Sequence, residues 1–116
     1  MQYLLLIYEA EARWDAVKEA DKQKVYQQYG ELIQDLQKNG KYKGGHQLQP
    51  ISTATTVRLR NGKKAVTGGP FAETKEQLGG YFLVEAKDLD DALAIAARIP
   101  SVHTGSIEVR PVVLPR

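Results

Sequence analysis

Tyr3-Leu-Leu-Leu-Ile-Tyr8 decides the fold, because every one of its side chains is apolar or aromatic. Successive side chains of a strand point to opposite faces of a sheet, so this strand needs cover on both faces. It therefore belongs in the middle of a sheet. The run is too short to span a membrane and leads directly into Glu9 and Glu11, so we predict neither a membrane segment nor a signal peptide.

Two amphipathic helices are predicted on either side of the chain's centre. The first begins at Asp21 as N-cap and ends near Gly40, with apolar residues at helical spacing: Val25, Tyr29, Leu32, Ile33 and Leu36. The second is capped by Asp88 and stopped by Pro100. Its predicted core stripe is Leu89, Ala92, Leu93, Ala96 and Ile99.

Further strands are predicted at residues 42–49, 53–60, 63–67, 78–85 and 106–113. Asn61-Gly62, between the second and third of these, is the signal of a type I′ hairpin. The resulting order is β-α-β, a hairpin, then β-α-β. This order predicts a single α+β domain over residues 1–116, a ferredoxin-like split βαβ fold with an antiparallel sheet, an inserted β-hairpin and two helices on one face.

The other face of the sheet is predicted to be bare and apolar. We assign Leu4, Leu6, Phe82, Val84 and Val109 to one face and the alternating set Tyr3, Leu5, Ile7 and Leu83 to the other, and neither set is polar. A monomer would expose an apolar patch of several hundred Å². We therefore expect an isologous homodimer with a cleft at the sheet-to-sheet contact.

Composition limits the classes of partner and cofactor that we expect for this protein. A net charge of +2 is too balanced to attract nucleic acid by long-range electrostatics. The chain has no cysteine, so it offers no disulfide framework and no thiolate ligand or nucleophile, and we expect a cytoplasmic protein. His46 and His103 are too far apart for a metal motif, no phosphate-binding glycine loop is present, and we predict neither metal nor cofactor.

The most informative loop is Thr67-Gly-Gly-Pro-Phe-Ala-Glu-Thr-Lys-Glu-Gln-Leu-Gly-Gly-Tyr81. Together with Leu48-Gln-Pro50, Thr53-Ala-Thr-Thr-Val-Arg58 and Glu108-Val-Arg-Pro-Val112, it resembles the YCII-related proteins, in the branch named for its DGPF motif. The resemblance covers nearly the whole chain. It implies a dimeric α+β barrel of largely undefined biochemical role, and some members lie beside sigma factors of the extracytoplasmic-function type.

One position departs from that motif. Gly68 stands where the name of the motif calls for Asp. Replacement by Gly fits a turn residue better than an obligatory acid or base. We therefore expect restoration of the Asp to be nearly neutral.

Several residues are candidates for chemistry. Glu73, Lys75 and Glu76 could supply a base and a cation that stabilises a developing anion, with Gln77 as a ligand contact. The plainer interpretation is a solvated loop with weak local ion pairs. Tyr8 and Glu9, at the end of the first strand, are candidate ligand contacts and are expected beside this loop at one cleft; the alternative is an interface tyrosine and an exposed acid.

His46 follows Gly44-Gly45 at a strand and is a candidate base, although a lone histidine is more often a hydrogen-bonded surface residue. Arg110 lies in a mostly apolar strand, so we expect it to bind a carboxylate of the 73–76 loop or an acid on a ligand. The basic residues around the hairpin are expected to block unwanted strand pairing.

Two functions remain open. The first is a small-molecule-binding, enzyme-like dimer with an acid/base site near the 67–81 loop. The second is a non-catalytic regulatory or protein-interaction module linked to sigma-factor-dependent transcription. A concave pocket with convergent polar groups would favour the first. An exposed apolar or charged surface outside the dimer contact would favour the second.

Overall fold

The computed structural model describes residues 1–115 as an antiparallel α+β domain. Its strands are β1 (Gln2–Glu9), β2 (Tyr42–Gln47), β3 (Thr55–Arg60), β4 (Lys63–Gly68), β5 (Gln77–Glu85) and β6 (Ser106–Pro111). Its helices are α1 (Glu11–Asp15), α2 (Glu19–Lys38) and α3 (Leu89–Ala96), with short 3-10 helices at Ile51–Thr53 and Pro100–His103. No helix in this part of the chain has both the length and the apolar character needed to cross a membrane.

The main sheet has the order β2-β5-β1-β6, with antiparallel pairing throughout. This order is consistent with a ferredoxin-like fold. As predicted, the apolar strand β1 lies inside the sheet, between β5 and β6. A register shift follows Ile7, where β1 and β5 form a bulge, and it places Glu9 opposite Gln77.

One face of the sheet packs on the helices and contains the core. Tyr3, Leu5 and Ile7 are buried there against Leu32 and Leu36 of α2 and against α3. The register pairs Leu5 with both Phe82 and Val109, so Phe82, Val84 and Val109 share this helix-covered face. The predicted division of these residues between the faces was therefore wrong, because register depends on cross-strand bonds that periodicity does not reveal.

The opposite face, which we call the open face, contains Leu4, Leu6 and Leu83, all only partly buried. Leu4 pairs with Leu83, and Leu6 pairs with Tyr81. The helices pack on the other side of the sheet. An apolar centre thus remains on the open face.

The helices differ in detail from their predictions. α2 begins at Glu19, two residues before the predicted cap at Asp21. Asp88 does cap α3, since its Oδ1 accepts a hydrogen bond from the Asp91 N–H at 2.9 Å. The predicted α3 stripe is partly wrong: Leu89 and Leu93 remain 49% and 46% exposed, while the buried helix residues are Ala92, Ile95 and Ala96.

β3 and β4 form a separate two-stranded hairpin outside the main sheet. Asn61 and Gly62 have φ of 53° and 74°, as the predicted type I′ turn requires. No side chain of either strand is buried. The hairpin is therefore held by its own ladder and by bonds at its base, such as Gly69 N–H to the Ala54 carbonyl at 2.7 Å.

Candidate functional site

A pocket of about 540 Å³ lies between α2 and the helix-covered face of the sheet. α2 lines it with Val25, Tyr26, Tyr29, Gly30 and Ile33. The sheet contributes residues of β1, β2 and β5, and α1 closes one end. Volumes of this size are typical of small-molecule sites.

Glycines from the helix and the sheet are among the residues that line the pocket. Gly30 on the helix and Gly45 and Gly80 on the strands all line the space. A Cβ on Gly30 would meet no heavy atom within 4 Å, whereas one on Gly45 would lie 2.8 Å from the Phe82 ring. There is therefore room for a side chain at Gly30 on the helix, whereas Gly45 on the sheet is packed closely against its neighbours.

Aromatic rings form much of the wall. Tyr29 and Tyr42 both pack edge-to-face against Phe82, with centroid distances of 6.0 and 5.5 Å. Trp14 of α1 meets Tyr26 of α2 in the same way at 5.8 Å. These contacts hold the rings in fixed positions around the cavity.

A polar group lies where the pocket meets the end of β1. The Tyr29 hydroxyl is 2.6 Å from Ser101 Oγ, and Glu9 accepts a hydrogen bond from the Thr104 hydroxyl. Burial raises the pKa of Tyr29; the hydrogen bonds with Ser101 oppose this shift and the negative charge of Glu9 adds to it. Tyr29 therefore stays a neutral phenol beside a carboxylate at ordinary pH.

Gln77, the first residue of β5, fixes one end wall of the pocket. Gln77 Oε1 accepts from the Glu11 N–H at 2.9 Å, and its Nε2 donates to the Thr74 carbonyl at 2.7 Å. Glu11 Oε2 in turn accepts from the Ile51 N–H at 2.9 Å. The loop before β5, the start of α1 and the segment before β3 are thus joined at one end of the pocket.

Three predicted site residues line this pocket: Glu9, Gln77 and His46. His46 Nδ1 also lies 2.8 Å from the Tyr81 hydroxyl. The two residues are register partners, so the His46 ring lies on the open face, across the sheet from the pocket, and His46 borders the pocket through its main chain. His46 is thus held by a hydrogen bond, as its plainer interpretation proposed.

The other predicted residues lie elsewhere. Glu73 and Lys75 are exposed, and Glu73 borders a separate depression next to Gly68 and Pro70. Glu76 is half-buried, and its Oε1 accepts from Ser106 Oγ at 2.8 Å.

Ser106 is the β6 register partner of Tyr8, so Glu76 alone of the loop's charged residues is tied to the end of β1 beside Tyr8. Tyr8 itself does not line the pocket. Arg110 is exposed opposite Leu4, and no carboxylate of residues 1–115 lies within 4 Å of its guanidinium. Its expected ion pair with the 73–76 loop is therefore not formed.

Sequence reasoning missed the aromatic wall and Glu11. The sequence places Tyr29 in the apolar stripe of the first helix and offers no pocket role for Trp14. A signal was present, because Tyr26, Gly30 and Ile33 follow the same helical spacing with a glycine between large residues. A glycine in the middle of an apolar helix stripe indicates either close packing or an unfilled space.

Comparison with known proteins identifies the family. The model of the YCII-related domain matches residues 1–115. An uncharacterised protein of Rhizobium meliloti (strain 1021) is 35% identical over 116 residues, which cover 98% of this chain and 94% of that protein. The chain therefore belongs to the YCII-related family.

Proposed function

We propose that the protein binds a small organic molecule in the pocket between α2 and the sheet and acts on it as an enzyme-like dimer. The observation that carries this proposal is the pocket itself, whose apolar and aromatic walls meet a polar group at Glu9 and Tyr29. Pockets with this combination are the usual sites of ligands and catalysis.

In this proposal Glu9 is the acid/base group. Its side chain lines the pocket, and its Oε1 is positioned by the hydroxyl of Thr104. The neutral phenol of Tyr29 stands nearby as a hydrogen-bond donor. Gln77 is the residue of the informative loop that contributes to the site, because it fixes the start of α1. Glu73 and Lys75 have no role in the proposed site.

A thermal-shift screen of metabolites, with three proteins in parallel, tests the binding proposal. Gly30 lines the pocket and is exposed, so Gly30→Leu adds a branched side chain at a lining position where a Cβ meets no heavy atom within 4 Å. Gly30→Ala is the matched control, since it makes the same backbone change but adds a single carbon. Replacing a mid-helix glycine by alanine stabilises by about 1 kcal/mol, which raises Tm by about 4 °C in a domain of this size.

We expect compounds that stabilise the wild type to stabilise Gly30→Ala and to lose their effect on Gly30→Leu. Equal shifts in all three proteins would place the binding outside the pocket and end the proposal. For any reaction then found, Glu9→Gln should abolish turnover while the compound still binds.

The dimer is proposed to form through the open face. Leu4, Leu6 and Leu83 support this, because they form an apolar centre on the side of the sheet away from the helices. Contact between two such faces would give the dimeric α+β barrel that the resemblance implies. Sedimentation at micromolar concentration should show a species of twice the chain mass of 12.9 kDa. We place the dimer in the cytoplasm, which the lack of cysteine favours.

A second candidate function is a protein-interaction module, favoured by the β3–β4 hairpin. Val57, Leu59 and Val66 lie on one face of it and are 63%, 67% and 59% exposed. An isolated hairpin seldom leaves such residues in water without a role. Replacing Val57 and Leu59 by threonine should leave ligand binding unchanged and abolish capture of any protein partner.

A further inference from the structure

We infer that the pocket selects an organic cation: an amine, protonated at neutral pH, on an aromatic or other flat apolar body. This inference rests on the proposed function and specifies the class of ligand that the same site takes. It comes from the charge and the chemistry of the lining residues, considered together.

The charged groups of the pocket are acidic. Among residues 1–115 its lining includes the carboxylates of Glu9, Glu11 and Asp15 and no lysine or arginine. Within residues 1–115, none of the three has a basic nitrogen within 4 Å. The chain as a whole carries a net charge of +2, so the pocket is opposite in sign to the molecule around it.

Some capacity of these carboxylates is already used by the fold. Glu11 Oε2 accepts the Ile51 N–H, and Glu9 Oε1 accepts the Thr104 hydroxyl. The side chain of Asp15 makes no hydrogen bond with residues 1–115 and is exposed at the α1 end of the pocket. The three acids do not form a group that could hold a metal ion in this part of the chain. Their arrangement suits a diffuse organic cation better than a compact metal.

The walls are suited to the same kind of ligand. Five of the lining residues are aromatic: Trp14, Tyr26, Tyr29, Tyr42 and Phe82. Faces of aromatic rings attract ammonium groups, most strongly those of tryptophan and tyrosine. Trp14 already shows this property, because the Lys22 ammonium lies 5.3 Å from the centre of its ring.

The basic groups nearby do not reverse this charge pattern. Lys22 stands beside Trp14 but does not line the pocket. His46 borders the pocket through its main chain, because its ring pairs with the Tyr81 hydroxyl on the open face. An anionic ligand would approach three carboxylates without a lysine or arginine to compensate them, which disfavours it electrostatically.

The test compares three indole compounds that differ mainly in charge at the end of a short side chain: tryptamine, tryptophol and indole-3-propionate. Affinities are measured by calorimetry at pH 7.5 in 50 mM and 500 mM NaCl. We expect tryptamine to bind at least about tenfold tighter than the acid and tighter than the alcohol, with an advantage that shrinks at high salt. Equal or tighter binding of the acid or the alcohol, or no binding of tryptamine, would overturn the inference.

Charge-removing variants locate the effect. Glu9→Gln and Asp15→Asn should each weaken tryptamine binding severalfold and leave tryptophol binding unchanged. The unchanged tryptophol affinity also verifies that the pocket is folded in each variant. Asp90→Asn removes the same charge from an exposed residue of α3 outside the pocket and should affect neither compound. A uniform loss for all three variants would show that only the net charge matters, and would contradict the inference.

The inference and the proposed function fail in different ways. If the Gly30→Leu variant retains every ligand of the wild type, the pocket is not the site. If Gly30→Leu loses those ligands but they are acids or neutral molecules, the pocket is the site and its preference for cations is wrong.

Discussion

Gly105→Ala should destabilise the protein, because residue 105 lies directly against the backbone of β1. A Cβ at this position would stand 2.0 Å from the carbonyl oxygen of Tyr8 and 3.1 Å from the Cα of Glu9. Both neighbours are main-chain atoms, so no side-chain rotation can relieve the overlap. The connection to β6 or the end of β1 must move by about 1.4 Å to restore an ordinary contact of 3.4 Å.

The expected cost follows from what that movement disturbs. Overpacking in a close contact costs about 1–3 kcal/mol. The nearby Ser106–Glu76 and Thr104–Glu9 hydrogen bonds add about 1 kcal/mol for each one lost. The smaller conformational freedom of alanine in the unfolded chain returns about 0.4–1 kcal/mol. We therefore expect a net destabilisation of about 3 kcal/mol, or a decrease in Tm of about 12 °C.

Urea unfolding followed by circular dichroism measures this change, with Gly30→Ala as the reference. The same substitution at position 30 meets open space in a helix and should stabilise by about 1 kcal/mol. The two variants should thus shift the midpoint in opposite directions at similar m-values. A Gly105→Ala protein within about 0.5 kcal/mol of the wild type would refute the close approach of these two backbones.

Three further predictions concern pH, assembly and the loop. The Lys87 N–H and the Lys41 ammonium bind the Asp91 carboxylate and lower its pKa from 3.8. The contribution of this carboxylate to stability is therefore present above that value and is lost as pH falls through the lowered pKa. Between pH 6 and pH 3, the free energy of unfolding measured in urea should decrease less for Asp91→Asn than for the wild type. Leu6→Lys should convert the proposed dimer to a monomer in sedimentation, and a dimer of unchanged affinity would move the interface off the open face. Gly68→Asp should change the free energy of unfolding by at most about 1 kcal/mol and leave ligand binding intact, since a Cβ there has no neighbour within 4 Å; a large gain of activity would instead identify the acid as catalytic.

The fold was largely predictable because its signals are local. The run from Tyr3 to Tyr8, the Asn61-Gly62 turn and the Asp88 cap each specify structure through their own residue types. Which side chains share a face was not predictable in the same way. Leu5 reaches the side of Phe82 rather than that of Leu83 through a register set by hydrogen bonds between distant segments.

The site was less accessible to sequence reasoning than the fold. Glu9 and Gln77 were predicted and do line the pocket. Glu73 and Lys75 were predicted as site residues because charged side chains are concentrated in the loop, but both are exposed to solvent. The pocket itself is an unfilled volume between α2 and the sheet, so no single residue type in the sequence indicates it. It follows from the distance between α2 and the sheet, which only tertiary packing determines.

The tip of the β3–β4 hairpin marks a place where the chain can be cut or lengthened. Neither strand contributes a buried side chain, so opening the hairpin leaves the core closed. A break at Asn61-Gly62 would give two fragments, one with β1 and β2 and the other with β5 and β6. Each of the three strand pairings in the main sheet, β2–β5, β5–β1 and β1–β6, would then join one fragment to the other. The fragments should therefore remain associated as a split protein, and a short insert at the tip should be tolerated in the intact chain.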